Sequence, residues 1–201
     1  MTYLLQKLFN ECSILNTTLQ TNALEKFPQA LERAQEIKLL VLDVDGVLTD
    51  GSLFISSDGV EHLKVFNSLD GHGIKLLRTA GIEVAIITGR NSPMVKMRAQ
   101  ALGIEHLYMG VDEKGRALIE LLEKLHLTAN DCAAMGDDWP DLSILTKVRL
   151  ALSPANAHQE IKLVSHYVCD YSGGQGAVRE ICDLILQAQN LYQSLLHQAK
   201  E

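Results

Sequence analysis

Asp43 and Asp45 stand one residue apart in Asp43-Val44-Asp45-Gly46-Val47-Leu48-Thr49, at the end of the apolar run Leu39-Leu40-Val41-Leu42. Two carboxylates leaving one strand end repel each other, and a cation beside them relieves that cost. Taken alone, the stretch also reads as an acidic turn. A second acidic group follows another apolar run, in Gly136-Asp137-Asp138-Trp139-Pro140-Asp141. With Asp43 and Asp45 this makes a pocket of five carboxylates, to which Lys114 brings one positive charge. Such a cluster suits Mg²⁺, a hard cation satisfied by a few carboxylates, waters and phosphate oxygens. Thr88-Gly89-Arg90 offers a hydroxyl and exposed backbone N–H groups, which can hold a phosphate at a strand end. Alone, it would be a capped strand-to-helix loop, and Lys114 a surface lysine.

The elements that must position these groups follow from the hydrophobic pattern. Leu39–Leu42, Glu83–Ile87, His106–Met109, Cys132–Met135, Val148–Leu152 and Tyr167–Cys169 read as short strands. Between them, Ile74–Ala80, Pro93–Leu102 (closed by Gly103), Glu113–Leu125 and a short stretch near Leu142 read as helices. A single helix from Ala177 to about Leu196 closes the chain. Ser52–Phe66 reads as a hairpin turning at Asp58-Gly59. Strands and helices alternating over short connections give an α/β fold, a parallel sheet with helices on both faces. Ligands in such sheets bind at the carboxyl ends of the strands, where every residue above falls. Residues 1–37 read as an N-terminal helical extension, with apolar stretches Leu4–Leu15 and, entered at Pro28, Ala30–Ile37; residues 38–201 form the main domain.

Composition excludes several classes. The 201 residues carry 18 Lys and Arg against 25 Asp and Glu, a net charge of -7, which repels phosphodiester backbones and argues against nucleic acid. No apolar run approaches the ~20 residues of a membrane span, and Lys7 and Glu11 interrupt any signal-like core. Cys12, Cys132, Cys169 and Cys182 form no CxxC pair, which points to a reducing, cytoplasmic setting rather than to zinc or a disulfide framework.

The ordered set Asp-x-Asp-Gly-x-x-Thr, Thr-Gly-Arg, Lys and Gly-Asp-Asp-x-x-Asp, each after a strand, resembles the haloacid dehalogenase superfamily of aspartate-nucleophile phosphatases over about residues 38–190. Phe66-Asn67, Asp70-Gly71-His72-Gly73, Val84–Arg90 and Gly173–Cys182 are similar to its branch acting on 3-deoxy-D-manno-octulosonate 8-phosphate (KDO-8-phosphate), an enzyme of lipopolysaccharide precursor synthesis. The resemblance implies a Rossmann-like core with a small β-hairpin in place of a cap domain. It implies Asp43 as nucleophile and Asp45 as acid and base, with Mg²⁺ on Asp43, the Asp45 carbonyl and Asp137. Thr88, Gly89, Arg90 and Lys114 would bind phosphate or substrate, joined by Asp70, His72 and Gln175. Asp138 and Asp141 would orient Lys114 and the metal's water. It further implies a homotetramer whose neighbouring subunits close each active site.

Two positions depart from that branch: Gln175 stands where the tail motif carries arginine, and Leu69 where a basic residue precedes Asp70-Gly71. Arginine matches a sugar-acid carboxylate with its planar fork, so an acylneuraminate 9-phosphate is the alternative substrate. Arg78, Arg90, Arg98 and Arg179 are the candidate replacements. A receiver-like phospho-acceptor module is the other alternative; it lacks a carboxylate two residues after the acceptor, which Asp45 supplies.

Overall fold

A computed structural model describes residues 27–201. The stretch Leu4–Leu15 lies outside the described residues. Six strands, β1 (Leu39–Leu42), β4 (Glu83–Thr88), β5 (His106–Met109), β6 (Cys132–Met135), β7 (Leu150–Ser153) and β8 (Tyr167–Val168), form one parallel sheet in the order β5-β4-β1-β6-β7-β8. A separate antiparallel hairpin pairs β2 (Phe54–Ile55) with β3 (Glu61–Leu63). From β1 the chain builds outward on one side to β5, then returns to pair β6 on the other side of β1. The carboxyl end of β1 is therefore the switch point at which such sheets open a crevice.

Strand alternation divides the core into two layers. Leu40, Leu42, Val84, Ile86, Ala133 and Met135 face one layer, packed on helices α1 (Gln29–Ala34), α2 (Ser68–Thr79), α3 (Pro93–Leu102) and α7 (Ala177–Ala188). Leu39, Val41, Ala85, Ile87, Cys132 and Ala134 face the other, packed on α4 (Lys114–Leu125), α5 (Leu142–Leu145) and α6 (Gln159–Val164). Apolar residues on both faces explain why these strands read as continuous runs rather than alternating ones. Cys132, Cys169 and Cys182 are buried free thiols. Among the described residues no helix is long and apolar enough to cross a membrane.

Three element boundaries differ from the sequence reading. Helix α2 starts at Ser68, not Ile74: the Asn67 side chain caps it by accepting from Leu69 N, and Gly71 and Gly73 are helical. A Cβ at Gly73 would sit 3.1 Å from Cys182 Cβ, so glycine here serves the close approach of α2 and α7 rather than a turn. The closing helix is two helices, α7 and α8 (Tyr192–Gln198), because Asn190 adopts a left-handed conformation (φ 60°) between them. Helix α6 was not anticipated. Ala30, Ala34 and Ile37 are buried in the main core, and Gln189 Nε2 on the α7 side donates to the carbonyls of Ala34 and Ile37. Residues 27–37 thus pack as part of the same body as the sheet.

Candidate active site

Three carboxylates converge where β1 and β6 end. Oxygen atoms of Asp43, Asp137 and Asp141 lie within 4.8 Å of one another. Asp43 follows β1, its N–H donating to the carbonyl of Met135 at 3.1 Å and so continuing the β1–β6 pairing. Asp141 ends a single 3-10 turn, and its Oδ2 accepts from the N–H groups of Asp137 (3.1 Å) and Asp138 (3.4 Å). Gly46, at φ 88°, leaves room for Asp137, whose Oδ2 would lie 2.0 Å from a Cβ there.

Lys114, at the first turn of α4, reaches into this group. Its Nζ hydrogen-bonds Asp141 Oδ1 at 2.7 Å and pairs with Asp43 Oδ1 at 2.9 Å. Burial opposes the lysine charge, but the fields of Asp43 and Asp141 outweigh it and hold its pKa above the ordinary value. The carboxylates move the other way. Burial, reinforced by Asp141, pushes Asp43 up to about 6. Burial, reinforced by Asp43, Asp141 and Asp138, pushes Asp137 up to about 7. One lysine does not neutralise three carboxylates. The converging carboxylates of Asp43, Asp137 and Asp141 are hard oxygen donors whose charge Lys114 does not offset, and they fit a divalent cation such as Mg²⁺.

Asp45 belongs to a second cluster. Lys64 hydrogen-bonds its Oδ1, and Arg90 Nε lies 3.6 Å from its Oδ2. The same two cations meet Glu61, Lys64 at 3.0 Å and Arg90 at 3.4 Å. The expected single pocket of five carboxylates and one lysine is therefore two groups, with two lysines. Sequence reasoning missed Lys64 and Glu61, since hairpin residues of ordinary type give no motif; their signal is only a Lys three residues after a Glu in an otherwise exposed apolar stretch.

Thr88 is buried at the end of β4, with Gly89 beside the carbonyl of Val111. The glycine-rich tail docks on the loop after β1. Gly174 N–H donates to the carbonyl of Val47 (3.0 Å), and Asn156 links the two segments, donating to the carbonyl of Gly46 (3.1 Å) and accepting from Gly173 N–H (2.7 Å). A Cβ at Gly173 would lie 1.8 Å from the Gly46 carbonyl oxygen, so only glycine fits. Gln175 is exposed beside this contact.

Three expected site residues stand elsewhere. Asp70 is buried against the start of α7, accepting from Arg179 N–H at 2.8 Å; its carboxylate serves the orphan N–H groups of that helix, not the crevice. His72, two positions further on, is exposed on α2 on the side of Asp183. Asp138 is exposed and accepts from Trp139 N–H to begin the 3-10 turn, so that of the pair Asp138 and Asp141 it is Asp141 that touches Lys114. Of the four arginines considered, Arg78 donates to the Leu102 carbonyl, Arg98 to the Asn67 carbonyl, and Arg179 pairs with Asp183. Arg90 is the one that joins a candidate site residue, pairing with Asp45 and Glu61.

Residues 107–181 match the family model described as haloacid dehalogenase-like hydrolase. A 3-deoxy-D-manno-octulosonate 8-phosphate phosphatase of Salmonella typhimurium is 47% identical over 162 residues, covering 81% of this chain and 86% of that protein. The chain belongs to the KDO-8-phosphate phosphatase family. The structure of the Moraxella catarrhalis phosphatase of that name, in complex with magnesium ion, phosphate ion and KDO, aligns with a TM-score of 0.82 at 42% identity, over 85% of this chain and 97% of that one. The cobalt-bound phosphatase of Haemophilus influenzae aligns with a TM-score of 0.77 at 39% identity, over 80% and 93%.

Proposed function

We propose that this chain is a Mg²⁺-dependent phosphomonoesterase that hydrolyses KDO-8-phosphate to KDO and phosphate through an aspartyl-phosphate, supplying lipopolysaccharide precursor synthesis. The observation that carries this reading is the convergence of Asp43, Asp137, Asp141 and Lys114 at the switch point with Asp45 beside them, in a chain 47% identical to such a phosphatase.

Asp43 attacks phosphorus, the bond to the sugar oxygen breaks, and an aspartyl-phosphate forms. Asp45 gives its proton to the departing alkoxide, then takes one from the water that cleaves the aspartyl-phosphate. Thr88 and Lys114 hold the phosphate oxygens, and Asp141 holds Lys114 for that task. Asp43, Asp137 and the carbonyl of Asp45 would hold Mg²⁺, which supplies the positive charge that lets a carboxylate approach a phosphate dianion. The tail fixed by Gly173 and Asn156 keeps the loop of Asp43–Thr49 in place.

Arg90 is the cation available to a sugar-acid carboxylate, standing in for the charges that Leu69 and Gln175 do not carry. Leu53, Phe54, Ile55, Val60, Leu63 and Val65 are exposed on and beside the hairpin, an apolar surface that supports the tetramer expected of the family. Residues 38–201 would then be the catalytic domain and residues 1–37 its helical extension.

Phosphate release in Mg²⁺, compared among KDO-8-phosphate, an acylneuraminate 9-phosphate and simple sugar phosphates, tests the reading. Preference for KDO-8-phosphate supports it. Preference for the nine-carbon acid keeps the chemistry and moves the substrate. No release, with a stable phosphoenzyme from a small phosphodonor, replaces it with the receiver-like reading.

A further inference from the structure

We propose that Lys64 is the positioning residue of Asp45: it holds the carboxylate by one oxygen and so fixes the direction of the other. The inference rests on the phosphatase reading above and deepens it. Asp45, Lys64, Glu61 and Arg90 form a closed ring of alternating charge, in which each cation meets both carboxylates. The two cations are not equivalent. The Lys64 side chain is 1% exposed and that of Arg90 45%. A buried ammonium is held by two carboxylates at a desolvation cost that a surface pair never meets, and removing one partner leaves an uncompensated charge. Lys64 therefore stays on Asp45 Oδ1 while Arg90, half in solvent, is free to turn from Asp45 Oδ2 toward an arriving anion.

This division fits what an acid/base carboxylate needs. Asp45 lies in the loop beyond β1, where an Asp side chain has several staggered rotamers open to it. A group that delivers a proton in the transition state must be held in hydrogen-bond reach of the leaving oxygen. Lys64 supplies that restraint from the base of the hairpin, and Glu61, three residues back and nearly buried, holds Lys64 in turn. Lys64 transfers no proton. The hairpin thus contributes within its own subunit to the catalytic group, apart from any role of its apolar outer surface.

The test exploits the leaving group. A sugar alkoxide needs protonation to depart, whereas p-nitrophenolate does not. In Lys64→Met, kcat/KM, which covers the steps up to departure of the leaving group and not the hydrolysis of the aspartyl-phosphate common to both esters, should fall about 10²-fold on KDO-8-phosphate with KM within about 3-fold of wild type, and less than about 5-fold on p-nitrophenyl phosphate. Lys64→Arg should recover part of the difference. Equal losses on the two substrates would overturn the proposal, since a disturbed fold or nucleophile affects both. So would a raised KM with unchanged kcat, which would make Lys64 a substrate ligand. If Lys64→Met does not fold, Glu61→Gln, which removes the second anchor of Lys64, should move the same ratio in the same direction by less; an unchanged ratio there overturns it. Wild-type enzyme is first assayed on the substrate panel. If it prefers another alkyl phosphate, the substrate assignment fails, and the leaving-group ratio is measured with that ester instead.

Discussion

The two charged clusters at the mouth of the sheet are built on opposite terms. The one at the end of β1 and β6 sets Asp43, Asp137 and Asp141 against Lys114 alone. The one beneath the hairpin sets Asp45 and Glu61 against Lys64 and Arg90, charge for charge. Lys64 and Glu61 in the second are as buried as Lys114, Asp43 and Asp141 in the first, and Arg90 alone is half in solvent. In the first, Asp43 and Asp137 are driven up to about 6 and about 7, because burial and their neighbours disfavour the charged form and one lysine does not compensate. The second is complete as it stands. The deficit in one and the balance in the other separate a centre built to take up a divalent cation from one built to hold a side chain still.

Substitutions of the two aspartates proposed as catalytic should therefore differ in more than rate. Asp43→Asn removes the proposed nucleophile and should lower turnover by at least ~10³-fold on any phosphomonoester, measured as phosphate release. It also removes a charge from the overloaded cluster, so the Mg²⁺-free variant should melt higher than metal-free wild type at pH 7.5. Asp45→Ala should lower turnover of KDO-8-phosphate by about 10²–10⁴-fold. In the balanced ring, though, it strands Lys64 and Arg90 with Glu61 alone, so the metal-free protein should melt lower than wild type. If both variants shift melting in the same direction, the contrast between the clusters is wrong.

The pH dependence of the metal-free protein sharpens the same point. A carboxyl whose pKa is higher folded than unfolded takes up a proton more readily in the native state. Its contribution is fully present below the unfolded value near 4 and is lost as pH rises through the folded value. For Asp43 and Asp137 the window runs from about pH 4 to about pH 7. Between pH 5.5 and 7.5 these two groups should therefore make the Mg²⁺-free protein less stable as pH rises. Added Mg²⁺, competing with protons for the same oxygens, should raise the melting temperature more at pH 7.5 than at pH 5.5. Thermal melts at the two pH values, with and without Mg²⁺, check this.

The contrast also explains what the sequence could and could not say. Asp43 and Asp137 were legible because each stands just beyond a strand whose buried, continuous apolar run is easy to see, and Thr88 because it ends another; Lys114, five residues past the half-buried edge strand β5, was legible only with the other motifs. Pro93 and Gly103 marked the ends of α3 for the same local reason: Ser92 caps it by accepting from Val95 N–H, and Gly103 takes the left-handed turn. The Lys64–Glu61 pair was not legible. It depends on how the hairpin folds back over the loop of Asp45, which is tertiary geometry without a local signature. Asp70-Gly71-His72-Gly73 was left out of the helix read from Ile74 because aspartate and glycine are weak helix formers, whereas here glycine lets two helices approach and the aspartate serves the next helix.

Asp70 provides the smallest and most discriminating test, because it belongs to neither cluster. Its carboxylate is buried and accepts from Arg179 N–H at the start of α7, and burial raises its pKa. If it serves that helix rather than substrate, Asp70→Ala should cost about 1–3 kcal/mol of stability by leaving a buried donor unpaired. Asp70→Asn, which keeps an acceptor oxygen in place, should cost much less. Neither should change KM for the phosphate ester beyond the scatter of the assay. A raised KM in Asp70→Asn with stability intact would return Asp70 to the substrate site. It would also mean that the tail and α7 move when substrate arrives, since the resting geometry turns this carboxylate away from the crevice.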